Sequence, residues 1–137
     1  ALEQQKIFQG PVWNYLALEA EIPNVGDFRT IEVGDIPVIV NRARDGKVHA
    51  FVNRCAHRGA TVQRLIHGNA KAHVCCYHHW GYNLEGNLVG VPFARGVEGK
   101  GGLPEDSAYS KFIAYSLFLK LRLARKREKF SFQQRRW

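Results

Sequence analysis

The chain has 137 residues, 45% of them hydrophobic, with three Cys, six His and a formal charge of +8. That length suits one domain with a real core, and no run approaches the roughly 18 apolar residues of a membrane span, so no membrane partner and a cytoplasmic location are expected. The charge does not imply a nucleic-acid partner: residues 1–119 hold 12 Lys+Arg against 11 Asp+Glu, while residues 120–137 hold 8 against Glu128 alone. The body is nearly neutral, and the basic tail has no recognition fold beside it.

Residues 1–10 are mostly polar, with Ile7 and Phe8 too isolated to make an apolar run, and do not form a secretory signal. Met is absent even at position 1, so the numbering is expected to start inside a longer or processed chain. Residues 28–33 alternate apolar and polar, the pattern of a half-buried strand, and Gly34-Asp35 ends the run. Residues 37–40 follow, rich in β-branched side chains. Asp45-Gly46 then stands between that run and residues 47–52, a strong hairpin signal. Glu85-Gly86-Asn87 predicts another turn, between residues 82–84 and 88–91. The prediction is an all-β meander of small antiparallel sheets.

From about Arg95 the character changes. Gly96, Gly99, Gly101, Gly102 and Pro104 predict a flexible connector. Leu117, Leu119, Leu121 and Leu123 then alternate with Phe118, Lys120, Arg122 and Ala124, and this period of two predicts a strand that pairs back onto the domain. Residues 125–137 show no clear period. The chain divides into a domain over 1–106 and a basic segment over 107–137.

Chemistry concentrates in two short motifs. Cys55-Ala56-His57 is followed, after seventeen residues, by Cys75-Cys76-Tyr77-His78. Two Cys and two His at CxH and CxxH spacing suit a [2Fe-2S] cluster with mixed ligands, thiolates on one iron and imidazoles on the other. Neutral imidazoles remove negative charge that an added electron would otherwise meet, which raises the potential to about −150 to +300 mV from about −400 mV. The second ring nitrogen of each imidazole is free to face outward toward a partner. Cys76 and His79 also satisfy CxxH, and spacing alone does not separate the two registers. A Cys₂His₂ zinc site is the alternative for the same residues, although zinc commonly uses two to four residues between its Cys ligands.

The surrounding residues carry a resemblance. Cys55-Ala56-His57-Arg58-Gly59, then Cys75-x-Tyr77-His78-x-Trp80-x-Tyr82, resembles the N-terminal Rieske domain of aromatic-ring-hydroxylating oxygenase large subunits. Trp13-Asn14-Tyr15, Glu21-Ile22-Pro23, Gly26-Asp27-Phe28 and Asn53-Arg54 resemble the family's approach to the first loop, and residues 86–92 resemble its exit from the second. The resemblance implies a Rieske fold of small antiparallel sheets with two cluster-binding loops. Its ligands are Cys55, His57, Cys75 and His78, with Arg58, Gly59, Tyr77, Trp80 and Tyr82 around them. The family usually has Pro and Gly where this chain has Cys76 and His79. High-potential respiratory Rieske proteins carry an extra Cys in each loop, but Ala60 and Tyr77 stand there. The hydroxyl that those proteins place just after the second His is replaced by Trp80. Fewer hydrogen bonds to sulfur lower the expected potential to the order of −150 mV.

The resemblance further implies electron transfer from a reductase or ferredoxin to a mononuclear Fe(II) held by two His and a carboxylate. No His follows Gly102, so that iron belongs to a missing domain or to a neighbouring subunit of an oligomer. This chain alone is expected to relay electrons and not to hydroxylate. A free-standing Rieske ferredoxin is the alternative function. His49, His67 and His73 lie outside the motifs and read as structural or surface residues.

Overall fold

A computed structural model of the chain describes residues 13–102, together with Glu3 and residues 120–122. Between 13 and 102 the fold is β, with a single 3-10 turn at Glu19–Glu21. Four strands form the base sheet: β2 (Asp27–Val33), β3 (Ile36–Arg42), β4 (Val48–Val52) and β5 (His67–Asn69), ordered β4-β3-β2-β5 and antiparallel throughout. A smaller antiparallel sheet, ordered β6-β7-β8, comprises β6 (His73–Val74), β7 (Gly81–Tyr82) and β8 (Leu88–Gly90).

The base sheet is buried on both faces at its centre. Side chains alternate between the faces of a strand, yet Val38, Ile39 and Val40 of β3 are all fully buried. Val38 and Val40 pack with Leu16, Ala17, Ile22 and Val33 on one face. Ile39 faces the other way, into a cluster with Phe28, Phe51, Cys55, Val62, Cys75, Trp80 and Tyr82. The two cysteines of the sequence motifs therefore lie in the roof of the core over this second face. The continuous β-branched run at 38–40 is the sequence mark of such a strand.

The turns follow the sequence closely. At the β3–β4 hairpin the Lys47 N–H donates to Asp45 Oδ1 at 2.9 Å, and Gly46 has φ +78°. In the β7–β8 turn Gly86 has φ +84°, and a Cβ there would stand 2.9 Å from Phe51 Cδ1. That turn thus sits directly on the core ring beneath the loops.

Two regions bear on the C-terminal expectations. Residues 96–101 are a tight hairpin rather than a flexible connector, with β9 (Gly96–Val97) antiparallel to β10 (Lys100–Gly101). Glu98 and Gly99 both have positive φ, +52° and +76°, the requirement of a type I′ turn. Residues Lys120–Arg122 form β11, parallel to β1 (Trp13–Tyr15), in line with the expected pairing. The rest of the alternating run, 117–119 and 123–124, and the residues after it lie outside the described residues. No helix among the described residues is long and apolar enough to cross a membrane.

Candidate metal centre

Two loops leave the ends of β4 and β6, and their backbones repeat each other. Cys55 N–H donates to Ala60 O at 2.7 Å and Gly59 N–H to Cys55 O at 2.7 Å. In the second loop Cys75 N–H donates to Trp80 O at 2.9 Å and His79 N–H to Cys75 O at 2.9 Å. This closure puts the fifth residue of each loop in the left-handed region: Gly59 at φ +70° and His79 at φ +57°. Glycine accepts that conformation freely. An L residue such as His79 is strained there, by roughly 1–2 kcal/mol.

The loops bring their imidazoles together although His57 is two residues from its Cys and His78 is three. His57 Nδ1 and His78 Nδ1 are 3.1 Å apart. Two ring nitrogens on one tetrahedral metal, with bonds of about 2.1 Å, stand roughly 3.4 Å apart, so the pair is spaced for a shared metal. Trp80 stacks flat on His57, with ring centroids 4.8 Å apart and planes at 16°. The exposed Tyr77 ring tilts over His78 at 3.8 Å. Desolvation, then the positive charges of His57, Arg58 and His79, hold His78 below the usual imidazole pKa. Arg58 and Gly59 are exposed beside His57, while His57 and His78 are half-buried.

The thiols face inward. Cys55 and Cys75 are 4% and 1% exposed, and both are free, whereas Cys76 is exposed. Tyr82 Oη accepts the Ala56 N–H at 2.9 Å and lies 3.2 Å from Cys55 Sγ. Burial, and then the bond to Cys55, keep its pKa well above the usual phenol range. The hydroxyl therefore retains its proton and is placed to donate a hydrogen bond to the sulfur when Cys55 is a thiolate. The loop sequences alone did not point to this bond. Trp80 and Tyr82 are core residues and contacts of the motif at the same time.

Among the described residues no three His, Cys, Asp or Glu side chains gather around one point. The two imidazoles meet at the half-exposed edge, while both thiols are buried in one core cluster beneath them. That division suits two irons.

A buried polar network, which sequence reasoning did not find, ties the loop roots to the base sheet. Asn53 Oδ1 accepts the N–H groups of Val62 (3.1 Å) and Gln63 (2.8 Å), and its amide donates to Gln63 O at 2.8 Å. Asn41 Nδ2 donates to Leu84 O at 2.6 Å, so Asn41 Oδ1 is left to accept from His73 Nε2 at 3.0 Å. His73 stands edge-on to Phe28 and Phe51, and burial lowers its pKa to about 4. The signal available was Asn41, a polar residue directly after the apolar run of β3.

This architecture, a small two-loop lobe on a base sheet with paired Cys and His, defines a Rieske-type iron–sulfur domain. Residues 12–100 match the Rieske [2Fe-2S] domain family, and the chain belongs to it. It is 60% identical over 104 residues to the anthranilate 1,2-dioxygenase large subunit of Burkholderia cepacia, a match covering 76% of this chain and 25% of that one. It is 52% identical over 102 residues to terephthalate 1,2-dioxygenase terminal oxygenase component subunit alpha 2 of Comamonas sp, covering 74% and 25%. The fold superposes on naphthalene 1,2-dioxygenase from Rhodococcus sp. bound to indole, with a TM-score of 0.67, 38% identity, and coverage of 72% of this chain and 22% of the other. The chain thus spans about a quarter of the length of the curated relatives it matches. Those relatives are large or alpha subunits of oxygenases, not free ferredoxins.

The geometry makes two predictions. His79→Gly relieves left-handed strain at the cost of some unfolded-chain entropy, and is expected to stabilise the domain by about 1 kcal/mol. A raised urea midpoint at unchanged m would show it; an unchanged or lowered midpoint would contradict it. For His73, the folded pKa of about 4 lies below the ordinary imidazole value of 6.5. Its neutral form therefore contributes stability that is complete above pH 6.5 and is lost as pH falls toward 4, up to about 3 kcal/mol. Urea unfolding at pH 7 and pH 4.5 should show a smaller acid loss in His73→Leu than in the parent chain. Equal losses would contradict the assignment.

Proposed function

We propose that Cys55 and Cys75 hold one iron and His57 and His78 the other iron of a [2Fe-2S] cluster, and that the domain relays single electrons to a mononuclear Fe(II) elsewhere in an oxygenase. The observation that carries the ligand assignment is the division of the motif into a buried thiol pair and an imidazole pair whose Nδ1 atoms face each other at 3.1 Å. The burial of Cys75 and exposure of Cys76 support the Cys75/His78 register. When bound, the cluster supplies reversible one-electron storage at a potential between those of donor and acceptor.

The chain's residues do the rest. Buried Cys55 and Cys75 keep the sulfur end out of water. The half-exposed edges of His57 and His78 are the proposed electron exit, beside Arg58 and Tyr77, which offer a charge and an aromatic surface to a docking partner. Trp80 covers one face of His57 and holds its ring plane. The Tyr82 hydroxyl favours the reduced state by donating to Cys55 Sγ, because hydrogen bonds to charged acceptors strengthen as negative charge grows.

A reductase or ferredoxin is the proposed electron donor. The acceptor is a mononuclear iron held by two His and a carboxylate in a neighbouring subunit of an oligomer or in a domain beyond this segment, and its chemistry is hydroxylation of an aromatic ring. An aromatic acid is the proposed substrate class, since the relatives at 60% and 52% identity are named for anthranilate and terephthalate. The family match ending at residue 100 supports a domain boundary near 106 and a separate basic segment over 107–137.

Iron and acid-labile sulfide analysis tests the assignment. The reading requires a red-brown protein with two irons and two sulfides per chain, abolished in Cys75→Ser and retained in Cys76→Ser. Loss in Cys76→Ser with retention in Cys75→Ser would move the ligands to the other register. A colourless protein with bound zinc would overturn the electron-transfer reading.

A further inference from the structure

We propose that His73 is a positioning residue for the first thiolate: together with Asn41 it fixes the β7 strand that carries the Tyr82 hydroxyl to Cys55 Sγ. The proposal rests on the cluster assignment above and adds to it a residue that lies outside both motifs.

His73 and Tyr82 are register partners in the antiparallel β6–β7 ladder. Partners in such a ladder project from the same face and pack side by side, and both side chains are 1% exposed. The ladder itself is a weak anchor, since β6 and β7 have two residues each and the pairing of β7 with β8 shifts register between Gly81 and Tyr82. The position of β7 therefore depends on side chains that reach the base sheet.

Asn41 provides that reach. Its Oδ1 takes His73 Nε2 at 3.0 Å, and its Nδ2 donates at 2.6 Å to the carbonyl of Leu84, two residues past Tyr82. Tyr82 is thus bracketed, laterally by His73 and along its own chain by Leu84, with both brackets fixed to one side chain of β3. Phe28 and Phe51 hold the His73 ring edge-on from the base sheet, with centroids at 5.5 and 5.7 Å. At the far end of Tyr82 the hydroxyl bridges Ala56 N and Cys55 Sγ, at 2.9 and 3.2 Å. Without the His73 donor, Asn41 keeps one anchor of two and its buried oxygen lacks a partner. A small displacement of β7 then lengthens the contact to sulfur, because O–H···S bonding falls off steeply with distance and angle.

A double-mutant cycle read by redox titration of the whole 137-residue chain tests this. Tyr82→Phe removes the sulfur hydrogen bond and lowers the midpoint potential. His73→Leu is expected to lower it in the same direction by a smaller amount, and to have no further effect when Tyr82 is already Phe. His73→Gln, whose amide can still donate to Asn41, is expected to keep the parent potential. An effect of His73→Leu that is undiminished in the Tyr82→Phe background would overturn the proposal, as would lowered thermal stability with an unchanged potential. His73→Phe fills the same space between Phe28 and Phe51 without the donor, and serves as the second variant. Loss of the cluster in both, with His73→Gln loaded, would make the His73–Asn41 bond a requirement for cluster assembly rather than for the sulfur hydrogen bond, and would overturn the proposal as well. Failure of the cluster assignment would look different: the parent chain itself would show no signal on reduction.

Discussion

The candidate site depends on one constraint, the closure of both loops by the same pair of backbone hydrogen bonds around a buried Cys. Burying a Cys at the mouth of a loop also buries its N–H and C=O, and those groups must find partners. Ala60 O and Trp80 O take the two N–H groups, while the carbonyls accept from Gly59 and His79. Once closed this way, the loops stand as near copies, and their imidazoles meet although the Cys-to-His spacings differ by one residue. The price of that closure is a left-handed residue in each loop. Gly59 meets it without strain, and His79 does not.

A near-copy pair of loops still has to be held at a fixed separation, and the base sheet does this with buried polar groups. Asn53 serves as a substitute strand for residues 62–63 at the root of the first loop. Asn41 and His73 do the equivalent for the second. Ile39, Phe28 and Phe51 supply the apolar floor between these supports. Fully satisfied buried networks confer a unique arrangement more than they add stability, which is what a site built from two separate loops requires. The resulting polarity, thiols inward and imidazoles outward, separates the insulated end of the site from the end that meets a partner.

Much of this was legible in the sequence. The β-branched residues at 38–40 and the Asp45-Gly46 turn specify the base hairpin through local chemistry, and the structure places it as read. Residues 28–33 are a strand as expected, but Phe28 and Val33 serve opposite faces rather than one. The motif residues were legible because CxH and CxxH restrict the chemistry, and the neighbouring Tyr77, Trp80 and Tyr82 restricted it further. What escaped was non-local. His73 has no signature in its own segment, because its role is set by Asn41, 32 residues away. The Tyr82–Cys55 bond spans 27 residues and follows from the strand register, which composition does not encode. The glycines after Arg95 read as a connector because glycine density marks both loose chain and tight turns. Only the paired positive φ values of Glu98 and Gly99 distinguish the hairpin.

The central claim is that the motif holds two irons with unlike ligands, sulfur on one and nitrogen on the other. Pulsed EPR of the reduced protein, with histidine labelled by ¹⁵N, reports directly on the nitrogens bound to the paramagnetic centre. The account predicts two strongly coupled histidine nitrogens on a centre whose average g lies below the free-electron value. Replacement of His57 or His78 should remove that pattern, and replacement of His73 or His79 should leave both couplings in place. A reduced centre with no coupled histidine nitrogen, or one whose couplings vanish with His79 rather than His78, would contradict it.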